Sequence, residues 1–286
     1  MKFIVGSHDS TDASSVFAVI GDNAINLTAL DASIGHDLMG LISRDDVESF
    51  INPLIVGEST VPLATIMPAL PLTKPGKIIC LGLNYADHIK EGPYERPDYP
   101  AIFMRTATSL IPAEAPMVIP NCSETLDYEA ELMVIIGKGG RHITMDDALS
   151  HVFGYTIFND GTVREYQRKT HQWTPGKNFD GTGPIGPIIV TPDELPNGAE
   201  GLKIETRVSG ETLQSSNTNQ MIWKVAPIIA EISLYSTLEP GDMIAMGTPS
   251  GVGHPRTPPR WLRNGEVIET EIEGIGICRN PIISES

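Results

Sequence analysis

The stretch DYEAELMVII, Asp127 to Ile136, constrains this chain more than any other. It opens as an acidic patch and becomes an unbroken apolar run, the signature of a strand entering a core. On a strand, Glu129 and Glu131 lie two residues apart and point to the same face, with Cβ atoms roughly 7 Å apart. Both carboxylates can then reach one hard cation at about 2.1 Å. Without an ion they would repel at the edge of a core, and one would tend to stay protonated. Taken alone, the pair reads first as a solvent-facing acidic stripe on an edge strand.

The 286 residues are enough to bury a full core and suit one large domain with a small one. Lys and Arg number 20 against 36 Asp and Glu, a net charge of −16, which disfavours nucleic acid or an anionic membrane as partner. Cys80, Cys122 and Cys278 are widely spaced, odd in number and form no C-x-x-C pattern. They read as small core hydrophobes in a reducing compartment, with neither a zinc site nor a disulfide framework. The opening MKFIVGSHDS turns polar too soon for a signal-peptide core, and no apolar run approaches the ~20 residues of a membrane span. A soluble, cytoplasmic protein is expected.

Along the chain, residues 1–72 read as a small N-terminal domain of short β pieces, Phe3–Val5 and Val16–Ile20, with a helical stretch over 36–51. His8 and His36 have no partner at ligand spacing. Pro53, Pro62, Pro68, Pro71 and Pro75 suggest an extended connector, and the second domain, 73–286, follows it. There the spacing predicts a buried strand at 78–81, a short helix over 85–90, and a proline-rich loop at 91–100 that is either a connection or a lid. Further strands are expected at 101–105, 117–119 and from 152. Helices are expected over 144–152, 162–169 (Thr162 and Glu165 as a capping box) and 221–236, and a terminal strand over 266–277. Helices do not alternate regularly with strands, so the fold class is β-rich, mixed α+β: a β-roll or sandwich with short helices.

Several residues can carry chemistry. Asp160, where a buried strand ends, is the natural third carboxylate beside Glu129 and Glu131; its plainer reading is a turn residue or helix cap. Oxygen-only ligands favour Mg²⁺, Mn²⁺ or Ca²⁺ over zinc or copper. His88 and Glu91, three apart on the short helix, can touch, which would orient the imidazole as a general base; such pairs also occur as plain surface contacts. Lys177 sits in a stiff Pro-Gly-containing stretch and reads as a fixed ammonium or a solvated loop lysine. The loop GTPSGVG, Gly247 to Gly253, could expose amides to a substrate carboxylate, but it lacks the phosphate-loop ending and the dinucleotide spacing. No nucleophile elbow or Cys–His pair is present.

Six ordered blocks carry a resemblance: GLNYADHIKE, DYEAELMVIIGKGGRHI, GYTIFNDGTVREYQ, QWTPGKNFD, TLEPGDMIAMGTPSGVG and EIEGIGICRNPI. Over about residues 75–283 the chain resembles the C-terminal catalytic domain of the fumarylacetoacetate hydrolase family. The resemblance implies a mixed β-sandwich roll, a homodimer, and Mg²⁺ or Mn²⁺ (Ca²⁺ in some crystals) on Glu129, Glu131 and Asp160. It further implies a His88–Glu91 pair on a lid helix, a site lysine at Lys177, and substrate contacts at Gln167 and Thr248. Arg105, where many members have lysine, is a candidate for the substrate carboxylate. Gly181 stands where many members place a threonine behind the metal site, and Glu165 stands where an aspartate is usual.

The reaction this implies is hydrolytic C–C cleavage of an acylpyruvate-type β-diketo acid, with an enolate leaving group stabilised at the metal. Oxaloacetate decarboxylation, or hydration and isomerisation of 2-oxo acids, would use the same site. From a different class, a catalytically idle metabolite-binding protein also fits.

Overall fold

The structure, a computed structural model, describes residues 1–8, 13–91 and 98–286. The proline-rich lid reading of 91–100 falls mainly on 92–97, outside the described residues. The central strand is Ala130–Ile136, and every residue in it is buried. Its unbroken apolar texture follows from burial on both faces. Leu132, Val134 and Ile136 enter one core with Ile204, Ile272 and the helix residues Ile228, Ile229 and Ile232. Met133 and Ile135 enter a second core with Phe3, Val5, Leu41 and Phe158. With a period of two, Glu131 belongs to the Met133–Ile135 face.

The main sheet runs Val61–Pro62, Asn23–Asn26, Ser15–Ile20, Lys2–Ser7, Ile188–Val190, Val152–Asn159, Ala130–Ile136, Met243–Ala245, Ile78–Gly82, Ala101–Arg105. It is mixed: Ala130–Ile136 is antiparallel to both neighbours, whereas Met243–Ala245 and Ile78–Gly82 are parallel. A second sheet, Glu211–Asn217, Lys203–Val208, Val267–Ile272, Gly276–Ser284 and Met117–Ile119, packs across the first core. Helix Val225–Tyr235 closes the same core. The result is the expected sheet-rich α+β architecture with short helices. Among the described residues, no helix is long and apolar enough to cross a membrane.

Residues 1–72 join the same sheet. Lys2–Ser7, with Phe3, Ile4 and Val5 buried, pairs antiparallel with Ile188–Val190, and its side chains share a core with Met133 and Phe153. The proline-rich stretch thus connects two parts of one continuous core. Local expectations fail in four places. The helix over 36–51 is split into Met39–Ile42 and Val47–Leu54, and Pro53, inside the last turn of the second, cannot donate an i→i−4 bond, so the helix goes only one residue further. Over 144–152 only a 3₁₀ turn forms, Ala148–His151, because the strand claims Val152. The terminal strand is a hairpin of Val267–Ile272 and Gly276–Ser284. Thr162 caps no helix: it pairs with Asp127 in a two-stranded ladder, and the helix is only Arg164–Gln167.

Candidate active site

The acidic stretch is not one strand. Leu126–Asp127 pairs with Thr162–Val163, and the main strand resumes only at Ala130. Glu129 lies at the crossing and is held by the partner strand's end: its carbonyl accepts from Asp160 N (2.9 Å), and its N–H donates to Asn159 Oδ1 (2.9 Å). That register sets Glu129, Glu131 and Asp160 together, all buried, with carboxylate oxygens within 4.8 Å of one another. An acidic stripe facing solvent is excluded.

Three buried carboxylates this close need positive charge. Lys177 Nζ donates to Glu129 (2.7 Å) and Asp160 (2.6 Å). Arg164 Nη2 lies 2.7 Å from Glu129 as an ion pair without hydrogen-bond alignment, and its Nε donates to Asp127 (2.7 Å). Burial would raise the Glu129 pKa, but Lys177 and Arg164 outweigh it and hold the carboxyl low. Burial likewise opposes charge on Lys177, and Asp160 and Glu129 overturn it. Glu131 differs: burial, Asp160 and Glu129 all push its pKa well up, against Lys177 and one N–H donated by Gly247 at 2.8 Å. The cluster therefore lacks positive charge at Glu131. A hard divalent ion fits that deficit, and the all-oxygen donor set suits Mg²⁺ or Mn²⁺.

Arg105 does not line the cleft. Its buried guanidinium donates to Asp160 (2.5 Å), the Gly161 carbonyl (3.0 Å), Thr182 Oγ1 (3.0 Å) and Ser109 Oγ (3.1 Å). It braces Asp160 from behind, away from where a substrate would enter. Thr182 supplies that brace's acceptor, which answers the departure at Gly181: position 181 takes a left-handed turn (φ 71°) that favours glycine, and the adjacent threonine backs the site. Glu165 is turned outward and accepts from Ser123 Oγ at 3.0 Å.

Above the carboxylates is an open cleft of about 630 Å³, lined by His88, Glu91, Glu129, Gln167, Lys177 and Thr248, with Phe103 and Trp173 as apolar walls. His88 Nδ1 lies 3.1 Å from Glu91 Oε2, so the expected dyad is formed and Nε2 is its remaining nitrogen. Thr248 Oγ1 accepts from the buried Gln214 amide at 2.8 Å. Gln167 accepts from Arg164 at 3.0 Å. The glycine amides of the Gly-rich loop are turned to the protein itself. Gly247, Gly251 and Gly253 donate to Glu131 (2.8 Å), Glu91 (2.7 Å) and Asp127 (2.7 Å), so the loop organises the protein's own acids.

Asp127, Arg164 and Gln214 support the site without being among the candidates the sequence singles out. Asp127 is wholly buried and accepts from Arg164 and from the amides of Tyr128, Gly253 and His254. Its signal was available: an acid at the mouth of an apolar run and an arginine just after Asn159–Asp160–Gly161, which one strand pairing brings together.

The chain is similar to known proteins over most of its length. Residues 77–283 match the family model described as fumarylacetoacetate (FAA) hydrolase, C-terminal. Human mitochondrial oxaloacetate tautomerase FAHD2A is 37% identical over 284 residues, covering 98% of this chain and 88% of that protein. A fumarylacetoacetate hydrolase from Exiguobacterium antarcticum superposes with TM-score 0.84 at 35% identity, covering all of both chains. Maleylpyruvate hydrolase from Sphingobium sp. SYK-6, solved with manganese(II) and pyruvate, superposes with TM-score 0.82 at 28% identity, again over both whole chains. With the family model spanning most of its length and its carboxylate cluster inside that span, this chain belongs to the fumarylacetoacetate hydrolase family.

Proposed function

We propose that this protein is a divalent-metal-dependent enzyme that interconverts the enol and keto forms of a small 2-oxo dicarboxylic acid of the oxaloacetate type. One observation carries the reading: the His88–Glu91 pair lines the same cleft as Lys177 and Glu129, and Glu129 belongs to the cation-deficient carboxylate cluster. Keto-to-enol conversion breaks a C–H bond next to the 2-oxo carbon and moves the proton to the oxygen. His88 Nε2 is free to take the carbon-bound proton while Glu91 holds Nδ1. Lys177 has spent two of its three N–H groups on Glu129 and Asp160, which leaves one for the substrate's developing oxyanion. An Mg²⁺ or Mn²⁺ ion on Glu129, Glu131 and Asp160 would add Lewis-acid stabilisation of that negative charge. Phe103 and Trp173 reduce water around the reacting centre.

The likeness to a human oxaloacetate tautomerase over nearly the whole chain supports this reading. A second reading, hydrolytic C–C cleavage of an acylpyruvate, is supported by the likeness to maleylpyruvate hydrolase; His88 would then take its proton from water. Enol oxaloacetate, followed by its ultraviolet absorbance with Mg²⁺, Mn²⁺ or EDTA, separates the two when run beside acylpyruvate cleavage and pyruvate release. Metal-dependent loss of enol absorbance without pyruvate release is the expected result. Acylpyruvate cleavage with no acceleration of the enol step transfers the assignment to hydrolysis, and pyruvate release from oxaloacetate transfers it to decarboxylation. No metal-dependent turnover of either substrate leaves a metabolite-binding role.

A further inference from the structure

Five basic side chains line the cleft, and four are accounted for. Lys177 is taken up by Glu129 and Asp160, and Arg164 by Asp127, Glu129 and Gln167. His88 is taken up by Glu91. His254 stacks on Trp261 with ring centroids 6.0 Å apart, and burial, then Arg168 and Arg164, push its pKa down, so it holds little charge at neutral pH. Arg168 is the exception. Its side chain is exposed, lines the cleft and meets no carboxylate among the described residues, in a chain carrying 36 acids against 20 bases. Surplus acid elsewhere makes an unpaired guanidinium in a cleft wall a placed charge, available to a ligand.

Its position is fixed relative to the reacting end. Arg168 closes the Arg164–Gln167 helix through its own N–H, donated to Tyr166 O. The preceding residue packs so tightly on the lysine-bearing helix that a Cβ at Gly176 would come within 2.4 Å of Gln167 N. Lys177 and Arg168 therefore belong to two touching turns, one at the carboxylate floor and one at the wall.

We propose that Arg168, beside His254, reads the distal carboxylate of the substrate and so selects 2-oxo dicarboxylates over 2-oxo monocarboxylates. The assignment rests on the 2-oxo acid reading above. A guanidinium fork matches a carboxylate in shape and charge, and its rotamer freedom is what a cleft residue loses only when ligand is bound.

The test uses the full chain loaded with Mg²⁺ and follows intrinsic tryptophan fluorescence, to which Trp173 in the cleft wall contributes, on titration with oxalate and with oxaloacetate. Oxalate can occupy only the 2-oxo acid end. Arg168→Gln should weaken oxaloacetate binding at least about tenfold and leave oxalate within about twofold, with Arg168→Lys between. Equal losses for both ligands, or none for oxaloacetate, overturn the assignment. Arg168-dependent binding of oxaloacetate without turnover sinks the tautomerase reading and leaves Arg168 in place. Turnover with an unchanged KM in Arg168→Gln does the reverse, and failure of oxaloacetate to bind at all overturns both.

Discussion

Glu131 is the residue on which the proposed metal dependence turns, because its neighbours Glu129 and Asp160 have cationic partners and it has an amide. Glu131→Gln keeps the shape and removes the uncompensated charge. It should leave the metal-free protein as stable as before, or more stable by on the order of 1 kcal/mol, while abolishing the thermal shift on adding Mn²⁺. Differential scanning fluorimetry reads both; a retained metal shift would remove Glu131 from the ligand set. His88→Ala should lower kcat by about 10²- to 10⁴-fold with that thermal shift intact. Arg105 belongs to the frame: Arg105→Ala leaves Asp160 without its brace and should cost about 3–5 kcal/mol in urea unfolding. The side-chain types at 88, 91, 129, 131, 160 and 177 were legible in the sequence because their blocks are short and ordered. Arg105 was not, since nothing in the strand pattern at 101–105 says which way the last side chain turns.

At the scale of elements, the loop 247–253 ties three acids from separate segments: Glu131, Glu91 and Asp127. Asp127→Asn removes the charge that holds Arg164 Nε and two loop amides. Amide hydrogen exchange over 251–256 should then quicken by about tenfold or more, since a lost bond to a charged group is worth roughly 1.5–3 kcal/mol. Unchanged exchange there would mean that the loop is held by Arg256, whose guanidinium also bonds the Gly251 and Leu213 carbonyls. Apolar periodicity found the long strands and the 225–235 helix to within a few residues. It could not find the break at Tyr128–Glu129 or the Asp127–Thr162 ladder, which arise from tertiary pairing and not from local preference.

For the whole molecule, the sheet-rich class followed from irregularly scattered short helices, but the share of the first 72 residues in the core did not. Lys2–Ser7 pairs with a strand more than 180 residues away, and such distances leave no trace in local composition. Expressed alone, 73–286 would expose the Ile188–Val190 edge and the Met133–Ile135 face. It should aggregate or lose cooperative unfolding, which size-exclusion chromatography and a urea titration would show; a monodisperse, cooperative fragment would prove the catalytic segment self-sufficient. For the full chain, Mn²⁺ at 100 times its Kd should add about 2.7 kcal/mol and raise Tm by roughly 5–10 °C, reversed by EDTA.

Glu91 faces two ways, with one oxygen on His88 and the other on the Gly251 amide, while Asp87 on the same short helix accepts from Ser250. Seating that helix and aligning the imidazole are thus a single equilibrium: the base is unoriented whenever the helix is undocked. Because the same peptide segment touches Glu131 through Gly247, a cation bound at Glu131 and the docking of that helix would share one joint, and any coupling between them would act equally in both directions. A protein wired this way sets the orientation of its imidazole and the position of its least compensated carboxylate through one loop.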